Sequence, residues 1–123
     1  MTTGMYDCRT RQDAATRSLS RCLRRALGLA PAATHVSLQG GILAVRLTHA
    51  LTPMSRMIVG REAGAQIVQG AYEALLADCR EELARLAAQM TGAAVRQMRI
   101  SVDARTEAVL VEFVLQREGE ANA

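Results

Sequence analysis

Residues 51–92 read LTPMSRMIVGREAGAQIVQGAYEALLADCREELARLAAQMTG. Thr52 suits a helix N-cap, because its hydroxyl can accept a hydrogen bond from a free first-turn amide. Pro53 suits the first helical position, where a missing N–H costs nothing. Ala65, Val68, Tyr72, Leu75, Cys79, Leu83, Leu86 and Met90 then step by three or four residues, which marks one apolar stripe of a helix. Ile67, Ala71, Leu76 and Ala87 widen the stripe. Arg61, Glu62, Glu73, Asp78, Arg80, Glu81, Glu82 and Arg85 lie largely off it. Thr91-Gly92 closes the helix. Gly60, Gly64 and Gly70 each weaken its interior by up to about 1 kcal/mol relative to alanine. The reading is a long helix with a kink or short break near Gly60–Gly64 and a firm run from Ala65 to Met90. The Gly60/Gly64 spacing favours a kink or close packing over a dimer seam.

Alternating segments flank this helix. On the N-terminal side, Thr34–Leu38 and Ile42–Thr48 are separated by Gln39-Gly40-Gly41, whose glycines tolerate the positive φ that a tight hairpin needs. On the C-terminal side, Met98, Ile100 and Val102 alternate with polar residues. A polar turn over Asp103–Glu107 follows, and then Val109, Val111, Phe113 and Leu115 alternate with Leu110, Glu112 and Val114. Ahead of the first hairpin, Ala15, Leu19, Cys22 or Leu23, and Ala26 give a helix over about 11–27. Asp13 is a candidate cap or first-turn acid, Gly28 a C-terminal stop, and Pro31 a bar to resumption. The expected fold is α+β: a two-layer α/β sandwich of order α-β-β-α-β-β. Its four-stranded, mainly antiparallel sheet carries two helices on one face, the second of them long. Residues 1–10 read as a flexible tail, 11–116 as one domain, and 117–123 as a frayed end.

Composition bounds the function. With 123 residues, half of them hydrophobic, the chain can bury a core without metals or disulfides. The aromatics are only Tyr6, Tyr72 and Phe113, so that core is aliphatic. All 15 basic residues are arginine. A GC-rich codon bias explains this more simply than selection for planar anion recognition does. The net charge of +3 is too small to imply nucleic-acid binding. Cys8, Cys22 and Cys79 show no metal-ligand spacing and read as free thiols in a reducing compartment. The polar, arginine-rich start does not resemble a signal peptide, and no apolar run reaches the roughly 20 residues of a bilayer span.

No catalytic constellation stands out, and no metal or cofactor is expected. His35 and His49 each sit beside a strand with no ligand partner in spacing. Ser18, Ser20, Ser37, Ser55 and Ser101 lack a nucleophile-elbow context. The helix acids Glu73, Asp78, Glu81 and Glu82 read as a solvated face. Gly40-Gly41 is too short for a phosphate loop and has no downstream lysine motif. Two features remain open. Arg17, Arg21 and Arg24 form a basic stripe with Arg25 beside it, either a solubilising face or a dock for phosphates, acidic lipid headgroups or an acidic partner. Without interleaved aromatics, base stacking is disfavoured. The outer sheet face would show Ile42, Ala44, Leu110 and Val114 among Arg46, Arg99 and Glu112, a candidate interface for a partner or a dimer.

The markers together resemble the MpsC-like family, named for a Na+-translocating, membrane-potential-generating system and long described as a domain of unknown function. The resemblance rests on Gly28 and Pro31, the hairpin, and Leu51-Thr52 in unchanged spacing. It rests also on Gly64, Val68 and Arg80, on Thr91-Gly92 with Val95, and on the closing Val111-Glu112-Phe113-Val114-Leu115. It covers roughly Leu19 to Gln116. One departure stands out: the family usually carries an acid where this chain has Ser55, completing a Thr-x-x-Glu capping box. The resemblance implies a non-enzymatic cytoplasmic accessory protein, peripheral at the inner membrane face and associated with cation or bicarbonate transport. Together with the half-apolar outer sheet face, the resemblance points to action through protein contacts, with a second copy as a homodimer and with a membrane transport protein. Two other readings stay open. One is a small nucleic-acid-binding domain using the helix 1 arginines. The other is a small-anion sensor using Arg46, Arg99 and the turn after Thr52.

Overall fold

The computed structural model describes the backbone of residues 2–116 and the side chains of residues 14–116. Helix α1 spans Thr2–Leu27, and strands β1 (Ala33–Gln39) and β2 (Ile42–Thr48) form the first hairpin. Helices α2 (Pro53–Val59), α3 (Gly64–Asp78) and α4 (Arg80–Thr91) follow. Strands β3 (Val95–Asp103) and β4 (Ala108–Leu115) form the second hairpin. The sheet is open and antiparallel throughout, in the order β1-β2-β4-β3. The α+β fold and the order of elements agree with the sequence reading.

Local chemistry sets most boundaries. Gly40 and Gly41 both have positive φ (58° and 76°), which closes the first hairpin with Gln39 opposite Ile42. Gly28 (φ 65°) ends α1: its amide bonds to the Arg25 carbonyl at 3.4 Å, and the Leu29 amide to the Arg24 carbonyl at 2.9 Å. This pair of bonds is a Schellman stop, and the following Leu29 is buried. Thr52 caps α2, its Oγ1 accepting from the Ser55 amide at 3.1 Å. Gly92 (φ 77°) ends α4 through its amide on the Ala88 carbonyl.

Two boundaries differ from expectation. Helix α1 begins before Arg11 and runs through residues 2–10 of the expected tail, so Asp13 lies inside it rather than at its start. The residues expected to fray at 117–123 lie outside the described residues. The second helix is three helices. Its first break, at 60–63, falls where the glycines placed it, with Ala63 left-handed (φ 60°). The second was unforeseen: Cys79 leaves the helix (φ −112°, ψ 15°), and its amide falls back on the Leu76 carbonyl three residues away. No glycine or proline marks that break. Its cause is tertiary, since α3 packs against α2 and β3 whereas α4 packs chiefly against α1.

The core lies between the helices and one sheet face. Leu43, Val45 and Leu47 of β2, Ile100 of β3, and Val109, Val111, Phe113 and Leu115 of β4 point into it. A bulge at Arg96 shifts the register between Val95 and Gln97, so Val95 and Met98 both pack on the core side. From the helices come Leu19, Leu23 and Leu27, then Val68, Tyr72 and Leu76, then Leu83, Leu86 and Ala87. In α3 the buried line is Gly64, Val68, Tyr72 and Leu76, an i, i+4 ridge. Leu75 and Ile67, which the periodicity assigned to the apolar stripe, are exposed by 40% and 61%.

Gly64 explains the turn between α2 and α3. A Cβ at this position would lie 1.6 Å from the Ile58 carbonyl oxygen and 2.6 Å from its carbon. Backbone rather than a flexible side chain blocks the space, so the fold requires glycine here. Gly70 has open space around it. Gly64→Ala should lower stability by more than about 2 kcal/mol. Gly70→Ala should raise it by up to about 1 kcal/mol. Urea unfolding of the two variants against the parent measures both, and equal effects would contradict this packing. Thr52→Ala removes the cap together with the hydrogen bond to Ser55 Oγ and should cost at least about 1 kcal/mol in the same titration.

Candidate functional site

The arginines of α1 reach a defined groove. Arg17, Arg21 and Arg24 line it with Thr16 and Ser20 from the same helix and Thr34 and Val36 from β1. Its volume is about 330 Å3. The groove exists because β1 is an edge strand whose core-side residues are only partly covered by the helical layer. All three arginines are exposed, and among the described residues none is ion-paired. Ser20 is buried at 8% exposure, and the Thr16 hydroxyl donates to Met90 Sδ at 3.5 Å.

Arg46 and Arg99 stand on the outer sheet face, away from the core. Arg46 lies between His35 of β1 and Leu110 of β4, and it lines a cleft of about 170 Å3 with Ser101, Asp103, Ala108 and Leu110. Arg99 pairs with Glu112 at 3.7 Å, directly across β3 and β4. Ile42, Ala44, Leu110 and Val114 share this face and are half-buried. Thr52 is not with the two arginines. Its hydroxyl donates to Ser55 Oγ at 3.0 Å, and Ser55 Oγ lies 3.3 Å from the Tyr72 hydroxyl in the helical layer. The sheet thus separates Thr52 from Arg46 and Arg99, so the three do not form one anion pocket. At Ser55, where the resemblance implies an acid, the side chain ties α2 to α3 through Tyr72.

Further groups are placed singly. His35 is exposed on β1, and His49 occupies a turn with φ 49°. Among the described residues, no three His, Cys, Asp or Glu side chains gather as a metal site would require. Asp103 Oδ1 accepts from the Arg105 amide at 3.0 Å, which holds its carboxyl below the usual range. Arg56 Nε contacts Glu107 Oε1 at 3.4 Å, joining α2 to the β3–β4 turn.

The sequence reading missed one surface. Ile67, Ala71 and Leu75 of α3 form an i, i+4, i+8 row beside the buried ridge, and all three face solvent with Ala74. Helix α2, packed against α3, exposes Met54 and Met57. Periodicity alone could not find this surface, because a helix apolar on most sides gives no sign of which row is buried.

Cys22 and Cys79 are free thiols, each half-buried at the edge of the core. Burial, then the Glu82 carboxylate and the neighbouring Cys79, push the Cys22 thiol above its ordinary pKa, against the opposing pull of Arg25 and Arg85. A raised pKa leaves less thiolate near neutral pH. Alkylation of Cys22 by iodoacetamide, followed by peptide mass spectrometry, should therefore be slower than that of an exposed peptide thiol. A faster reaction would contradict this environment.

No curated protein and no solved structure is significantly similar to the chain. The family model described as Na+-translocating membrane potential-generating system (MpsC) matches residues 11–117. That span includes both hairpins, the three helices between them and the packed part of α1, and this protein accordingly belongs to the MpsC family.

Proposed function

We propose that this chain is a non-enzymatic accessory protein of a Na+-translocating, membrane-potential-generating system and works by docking on one of its membrane components. The observation that carries the reading is the outward row of α3. Ile67, Ala71, Ala74 and Leu75 give solvent an uncharged helical surface, and Met54 and Met57 stand on the adjoining helix. Exposed apolar surface of this kind on a stable fold marks a protein interface. Methionines suit it, because their flexible thioethers adapt to a partner's shape. No helix among the described residues is long and apolar enough to cross a membrane. In this reading translocation belongs to partner chains with membrane spans. Regulation of cation or bicarbonate movement from the cytoplasmic side is the role that fits.

Self-association belongs to the same reading. The outer sheet face offers Ile42, Ala44, Leu110 and Val114 as a second apolar surface, flanked by the Arg99–Glu112 pair. A homodimer joined there leaves α3 free for the membrane partner.

The α3 surface can be tested without disturbing the core. A tagged chain expressed in its native cell should recover an ion-translocating membrane protein after mild detergent extraction. Ile67→Glu with Leu75→Glu should abolish that recovery while leaving the unfolding temperature within a few degrees of the parent. Failure of the parent to recover any multi-span transport protein would refute the reading.

A further inference from the structure

The α1–β1 groove has a different chemistry from the apolar surfaces. Arg17, Arg21 and Arg24 follow i, i+4, i+7, so they stack on one side of α1 at the rim of the groove. Among the described residues no carboxylate lines the groove or neutralises these guanidiniums. Arg25 does not line the groove; its charge acts on the Cys22 thiol, as do those of Glu82 and Arg85 from α4. Helix α1 thus places three arginines over the groove and a fourth outside it. The opposite wall carries the Thr34 side chain and the methyl groups of Val36. Ser20 adds a hydroxyl on the helix side, where Thr16 also lines the groove with its own hydroxyl turned to Met90 Sδ. Fixed positive charge, planar fork donors and hydroxyls around a volume of about 330 Å3 suit a phosphate group, which guanidinium binds through paired N–H donors.

We propose that the α1–β1 groove is a binding site for a phosphate-bearing anion, held by Arg17, Arg21 and Arg24 with Ser20 and Thr34 as hydroxyl partners. A phospholipid headgroup and a soluble phosphate compound share this chemistry. Duplex nucleic acid is disfavoured, because the arginines are few and enclose a short groove rather than a long track. The site does not depend on the docking surface of α3, which carries none of these residues.

The test uses the full chain and separates the two sources. In one arm, the protein is sedimented with vesicles of phosphatidylcholine and phosphatidylglycerol in equal parts, against pure phosphatidylcholine. In the other, thermal unfolding is followed with inorganic phosphate and with inositol hexakisphosphate, at constant ionic strength. Binding only to anionic vesicles assigns the groove to a lipid headgroup, and stabilisation by soluble phosphates assigns it to a free ligand. In whichever arm responds, Arg17→Gln, Arg21→Gln and Arg24→Gln should each weaken binding about fivefold. Arg61→Gln, on the exposed α2–α3 connection, should leave it unchanged. Absence of binding in both arms overturns the proposal. So does equal weakening by Arg61→Gln, which would reduce the effect to overall charge. Binding of duplex DNA in place of both ligands would overturn it as well.

Discussion

The backbone at Ile58 passes so close to Gly64 that no side chain fits between them. This contact sets the path of the chain where α2 gives way to α3. Because the two helices meet without an intervening Cβ, α3 can lie against the sheet with Gly64, Val68, Tyr72 and Leu76 as its buried ridge. Tyr72 then reaches Ser55, and Ser55 reaches Thr52, so the start of α2 is fastened to the middle of α3 by three hydroxyls. The same segment receives the second hairpin through the Ala50 amide on the Glu107 carbonyl and Arg56 on the Glu107 carboxylate. One close approach thereby orders the junction at which hairpin, helices and turn converge.

Many of the residues that carry the family resemblance serve this architecture. Gly28 and Gly92 end helices in the left-handed region, and Thr52 is a cap. The Thr91 hydroxyl donates to the Ala87 carbonyl and accepts from the Ala93 amide. Leu51, Val68 and Phe113 are core residues. A fingerprint made of turns, caps and packing identifies a scaffold with confidence but leaves its activity unstated. Ser55 fits this pattern, since a hydroxyl in place of an acid still holds two helices together. The surfaces that vary around such a scaffold carry the function.

What the sequence revealed follows from how far each cause acts along the chain. Both hairpins, the caps at Thr52 and Gly92 and the break at Gly60–Gly64 depend on residues a few positions apart, and all were legible. The departure at Cys79 was not, because it arises where α3 follows the sheet and α4 follows α1. The exposure of Ile67 and Leu75 was hidden for a related reason: α3 is apolar on several rows, and only contact with β3 and α2 selects the one that is buried. The arginine stripe of α1 could be read, but its groove could not. That groove requires Thr34 and Val36 to stand opposite, which depends on β1 being an edge strand.

The strand order also governs how the chain reaches its native state. Strands β1 and β2 are joined by two residues, and β3 and β4 by a short turn, so each hairpin can zip from its own loop in microseconds. Pairing β2 with β4 is another matter, because Ile42 must find Val114 and Leu47 must find Val109 across the whole helical segment. That single non-local seam carries most of the loop-closure entropy of the sheet. Closing that seam therefore carries the highest entropic cost in the sheet, and the helical segment between the two hairpins is the tether whose length sets it.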